Sequence, residues 1–145
     1  MSYTATFASS LFNGERDAEI SAMAMSHFVE LLFRLDIDQM RKRDFPYLYS
    51  AGVRYHSMAP PCPELQGDLW LDASVLLRTH KGDCKDLSAY HAAWMNVYKG
   101  VRCRPVFRRK FLEKGFSLYH FVVLWPDGSI EDPSLKLGMP PEKGA

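Results

Sequence analysis

A thiol, an imidazole and a carboxylate stand out in this chain: Cys84, His120 and Asp132. Cysteine attacks as thiolate, so a nucleophilic thiol needs a positive local potential, a base within reach and a group that orients the base. Cys84 follows Lys81-Gly82-Asp83, which breaks one helical pattern just before another begins. The sulfur is thereby expected at a helix N-terminus, where unpaired backbone N–H groups favour an anion and can stabilise an oxyanion. Gly82 allows close backbone approach ahead of that helix, and Asp83 and Asp86 suit cap or first-turn positions. His120 lies near the start of Leu118 to Trp125, which reads as a strand able to hold an imidazole in one direction. Pro126-Asp127-Gly128-Ser129 is a strong turn signal. If it closes a hairpin through Ile130-Glu131-Asp132, Asp132 returns beside His120.

The elements that must position these groups follow from periodicity. Glu15 to Arg43 is helix-compatible, with Ile20, Met23, Ala24, Phe28, Leu31, Leu32 and Leu35 on the expected core face. Asn13 is its plausible cap, and Met23 and Met25 read as packing residues. Pro46 ends the pattern; Tyr47 to His56 reads as extended chain, and the proline-rich Ala59 to Pro63, with Cys62, as a loop. Asp72 to His80 is predicted helical, and so is Cys84 to Tyr98, with Gly100 as its stop and Tyr90 and Trp94 as packing residues. Val101 to Arg108 alternates as a strand, with Cys103 on its apolar side, and Pro133 is expected to end the last strand. Helices first and strands later give an α+β reading.

The motifs carry a family resemblance. Lys81-Gly82-Asp83-Cys84-Lys85-Asp86-Leu87, Tyr119-His120-Phe121-Val122-Val123 and Ile130-Glu131-Asp132-Pro133-Ser134 resemble the three motifs of the transglutaminase-like cysteine-peptidase superfamily. The match covers about Trp70 to Met139 and implies a papain-like core, in which a Cys-bearing helix packs on a small antiparallel sheet behind N-terminal helices. It implies Cys84 as nucleophile, His120 as general base and Asp132 as orienter. Phe121-Val122 stands where the family often has Ala-Trp, and the motifs do not assign the oxyanion side chain, for which Gln66 and Trp70 are the candidates. Gly52-Val53-Arg54-Tyr55, Trp70, Pro126-Asp127-Gly128 and Leu137-Gly138-Met139 are further similar to small bacteriophage and prophage proteins. That likeness implies virion proteins as partners and a virion-associated location. Since some members of the superfamily have lost catalysis, the alternative implied is a non-catalytic phage structural or assembly module.

Composition bounds these readings. With 145 residues, 47% hydrophobic and 24% charged, the chain is expected to form a single domain. Its portions are an N-terminal helical and extended part (1–69), the transglutaminase-like core (70–139) and a flexible tail (140–145). No apolar run approaches the ~18 to 20 residues of a membrane span, and the first residues lack a secretory pattern, so the expected compartment is the cytoplasm of the producing cell. Lys plus Arg at 18 against Asp plus Glu at 17 leaves +1, too balanced to draw a polyanion by net charge. Arg102, Arg104, Arg108, Arg109 and Lys110 read as a solvated strand face rather than a nucleic-acid patch, and Lys85 likewise as solvated. His56, His80 and His91 form no zinc-type pair with the cysteines, so no metal or cofactor is expected. The expected partner is a peptide or protein substrate. The expected reaction is acyl transfer, with hydrolysis or transamidation sharing one acyl-enzyme.

Overall fold

The computed structural model describes residues 4–8, 18–57, 67–111 and 117–141. In chain order the elements are β1 (Thr4–Ala8), α1 (Ala18–Lys42), β2 (Arg54–Tyr55), β3 (Gly67–Leu71), α2 (Ala73–Thr79), β4 (Lys81–Gly82), α3 (Cys84–Lys99), β5 (Arg104–Phe111), β6 (Ser117–Leu124), β7 (Ile130–Glu131) and α4 (Pro133–Lys136). A 3-10 turn, Leu48–Ser50, precedes β2. The mixture fits the α+β expectation, but strands do not wait until the helices are finished. β1 pairs antiparallel with β3, Thr4 opposite Leu71, and β2 runs parallel to β4, Tyr55 opposite Gly82. Strands as short as β2 and β4 carry no readable alternation, because their pairing is decided by distant partners. The expected cap Asn13, the loop containing Cys62, Gln66 and the tail from 142 onward lie outside the described residues.

The apolar face of α1 is turned by about one residue from the expected one. Met25, Val29, Leu32, Phe33 and Met40 are buried, whereas Met23 (62% exposed) and Leu31 (53%) face solvent. Asp36 completes the inner stripe at i+4 from Leu32. Its Oδ1 accepts the Ala73 N–H at 2.7 Å, satisfying one of the unpaired donors that begin α2. Asp72 caps the same helix by accepting the Val75 N–H at 3.0 Å. An acid is thus retained inside the core where a helix start needs an acceptor. Burial pushes the Asp36 carboxyl well above the usual carboxylate range.

Helix α3 is buried from Lys85 to Ala93 and again at Met95, so it is enclosed on all sides rather than amphipathic. It packs against α1, β5 and β6. Ala89, Ala92 and Ala93 keep the approach close, and Leu87, Leu76, Phe121 and Val123 fill the core around it. Tyr90 and Trp94 pack as expected: the Tyr90 hydroxyl donates to Pro46 O at 2.6 Å, and the Trp94 Nε1–H to Phe45 O at 3.1 Å. Gly100 ends the helix at φ 66°, a left-handed conformation suited to glycine.

The C-terminal sheet has the order β5-β6-β7, antiparallel throughout. Gly128 turns the hairpin at φ 88°, and Asp127 accepts from the Ser129 N–H (2.9 Å) and hydroxyl (2.6 Å), so Asp127 is the turn residue expected. Pro133 does more than end β7: it occupies the first turn of α4, with Asp132 as cap. Cys103 precedes β5 instead of lying on it and is fully buried. No helix among the described residues is long and apolar enough to cross a membrane.

Candidate active site

Cys84 is the first residue of α3, as its position after Gly82-Asp83 predicts. Asp86 builds that helix start. Its Oδ2 accepts the Asp83 N–H at 3.1 Å while its Oδ1 accepts the Leu71 N–H at 2.8 Å, binding the entry of α3 to the end of β3. Gly82 is required by proximity: a Cβ there would lie 2.5 Å from Leu76 Cδ1 and 3.1 Å from Asp86 Cβ. The glycine therefore lets β4 run against α2 and α3 immediately before the sulfur. Burial pushes the Asp86 carboxyl well above its ordinary range, with the Asp83 charge acting in the same direction.

His120 sits in β6, opposite Arg108 in the register with β5. Its Nε2 lies 2.7 Å from Asp132 Oδ2. The other Asp132 oxygen, Oδ1, accepts the Ser134 N–H at 3.1 Å and the Leu135 N–H at 3.4 Å, so the carboxylate is clamped between the helix start and the imidazole. Cys84, at the start of α3, is close enough to His120 to act on its proton affinity, and Nδ1 is the ring nitrogen that Asp132 leaves unused. Of the three predicted residues, His120 and Asp132 are in direct contact, and Cys84 lies within electrostatic range of His120. Asp132 chiefly, and then Cys84, raise His120 from its ordinary value to about 10 against the opposing effect of burial. Burial alone would raise Asp132, but the bond to His120 holds its carboxyl below the usual range. Cys84 is half-buried, whereas Cys103 is fully buried and burial pushes its thiol up to about 11.

Of the two oxyanion candidates, Gln66 lies outside the described residues. Trp70 is 2% exposed, with its ring edge-on to Phe28 at 5.9 Å and to Phe121 at 5.8 Å. Lys85 corrects an expectation. It is 2% exposed, with Nζ ion-paired to Asp83 and 5.3 Å from the Trp70 ring centroid. An ammonium this deep is tolerated because a carboxylate and an aromatic face replace water.

Sequence reasoning missed a second polar cluster beside the first. Glu131 accepts the Trp125 Nε1–H at 2.9 Å, the Lys136 ammonium at 3.1 Å and the Tyr49 hydroxyl. His91 Nε2 is 3.0 Å from Glu131 Oε2 without a well-aligned hydrogen bond. Burial works to raise Glu131, yet Tyr49, His91, Lys136 and Trp125 together hold it down to about 2. His91 moves the other way from His120: burial lowers it despite the nearby carboxylate. The available signal was the acid immediately before Asp132, since alternation along a strand sends neighbouring side chains to opposite sides. Tyr55 was also missed as a site residue. Its phenol is within electrostatic range of Cys84, Asp83, Lys85 and Asp132.

Among the described residues no group of three histidine, cysteine or acidic side chains is placed to hold a metal ion. A depression of about 240 Å³ between α1 and β5, lined in part by Val29, Glu30, Arg104 and Phe107, shares no residue with the triad. Compared with protein-family models, curated proteins and solved structures, the chain matches none.

Proposed function

We propose that the protein is a thiol-dependent acyl-transfer enzyme of transglutaminase-like type, acting on an amide of a peptide or protein. The observation that carries the reading is the 2.7 Å contact between His120 and Asp132, with Cys84 at the start of α3 within electrostatic range of the imidazole. His120 takes the thiol proton, and Asp132 holds the ring through Nε2 so that Nδ1 faces the sulfur. The thiolate attacks the carbonyl carbon, forming a C–S bond and a tetrahedral oxyanion at the α3 N-terminus. Collapse breaks the C–N bond, and His120 returns its proton to the leaving nitrogen. Water then attacks the thioester, giving its proton to His120; the C–S bond breaks and the acid leaves. An amine in place of water makes the second step a transamidation.

A half-buried sulfur beside an imidazole with a raised proton affinity supports this reading over a packed thiol. Turnover of a peptide library by wild type and Cys84→Ala tests it. Loss of turnover in the variant is expected. Equal turnover dismisses the enzyme, and no turnover by either favours a phage structural or assembly module with an idle triad.

A further inference from the structure

We propose that the Tyr55 hydroxyl is the side-chain donor that binds the oxyanion formed when Cys84 attacks a carbonyl; the inference rests on the acyl-transfer reading above. The backbone places Tyr55 between the two segments that bear the triad. It pairs with Gly82, two residues ahead of the nucleophile, and the following residue, His56, donates its N–H to Gly82 O at 2.8 Å. On the other edge, the Tyr55 N–H donates to Leu137 O at 2.9 Å, in the segment that leaves the short helix capped by Asp132. Strand β2 therefore laces the thiol segment to the carboxylate segment, with Tyr55 at the joint. Its ring packs on the core while the residue stays part-exposed.

The chemistry of the position fits a donor. Burial first, and then the Cys84 and Asp83 charges, push the phenol above its ordinary value, so it keeps its proton throughout the neutral range. A phenol placed where negative charge develops stabilises the tetrahedral state more than the ground-state carbonyl. Trp70 does not compete for this role, since its ring is enclosed by Phe28 and Phe121. The hydroxyl of Tyr55 is the one feature that phenylalanine at this position would remove while keeping the packing.

Two reactions of the same sulfur test the assignment. Acylation by p-nitrophenyl acetate passes through a tetrahedral oxyanion, whereas alkylation by iodoacetamide is a displacement at saturated carbon and forms none. Both rates are measured on wild type, Tyr55→Phe and the Cys84→Ala control, with thermal unfolding confirming that each variant is folded. Tyr55→Phe is expected to slow acylation by roughly 10²-fold while alkylation stays within about twofold. Unchanged acylation overturns the assignment, and an equal slowing of both reactions overturns it in favour of an effect on the thiol itself. Acylation of Cys84→Ala at the wild-type rate removes the thiol-enzyme reading and this inference with it. A silent Cys84→Ala with an unaffected Tyr55→Phe removes only the inference.

Discussion

Glu131 and Asp132 are sequence neighbours that address two different histidines. Asp132 Oδ2 is 2.7 Å from His120 Nε2, and Glu131 Oε2 is 3.0 Å from His91 Nε2. The two imidazoles shift in opposite directions: the bond to Asp132 raises His120, whereas burial, joined by the Lys136 ammonium, lowers His91 against the pull of Glu131. Adjacent residues in extended chain make this possible: a single strand end sends one carboxylate to each imidazole.

The His120–Asp132 pair predicts a pH dependence of stability. His120 is raised above its unfolded value of about 6.5, so its contribution is fully present below that pH and disappears as pH rises through about 10. Chemical unfolding of wild type and Asp132→Asn between pH 6 and 10 is expected to show a gap of about 1–3 kcal/mol at the acid end that narrows towards the alkaline end. A gap independent of pH would show that Asp132 acts only as the cap of α4.

Gly82→Ala tests the close approach before the nucleophile. The new methyl would meet Leu76 Cδ1 at 2.5 Å and Asp86 Cβ at 3.1 Å, and both neighbours are fully buried. A loss of about 1–3 kcal/mol in urea unfolding is expected. Wild-type stability would mean that Leu76 finds another rotamer without cost.

How much of this was legible follows the range of the interactions. The start of α3 was readable because Gly-Asp-Cys-x-Asp carries its own stop, cap and first-turn acid within six residues of chain, and the hairpin was readable because Pro-Asp-Gly-Ser fixes a turn locally. Asp132 was placed beside His120 by that turn signal. Asp36, by contrast, bonds the backbone of Ala73, and Glu131 bonds Tyr49; such partners leave no mark in a short window. The rotation of the α1 face has the same origin. An acid at position 36 reads as solvent-facing until the start of α2 supplies its donor.

Asp86→Asn probes one of those buried acids. Asn offers one acceptor oxygen, so either the Leu71 or the Asp83 N–H, bonded now at 2.8 and 3.1 Å, loses its partner. A destabilisation of about 1–3 kcal/mol is expected, together with faster hydrogen exchange at one of the two amides. Exchange unchanged at both amides would contradict this role.

Glu131→Ala leaves the Trp125 Nε1–H and the Tyr49 hydroxyl without their carboxylate. The expected cost is about 2–4 kcal/mol by thermal or urea unfolding. Tyr49→Phe removes a single donor and should cost less than half as much; an equal loss in both variants would place the effect in Tyr49 packing instead.

The rate of iodoacetamide alkylation at Cys84, mapped by peptide mass spectrometry at pH 6, tests the central claim most directly. Wild type is expected to react at least about tenfold faster than His120→Ala, with Cys103 unmodified while the protein is folded. Equal rates in wild type and His120→Ala would contradict the account, because the imidazole would then have no hold on the sulfur.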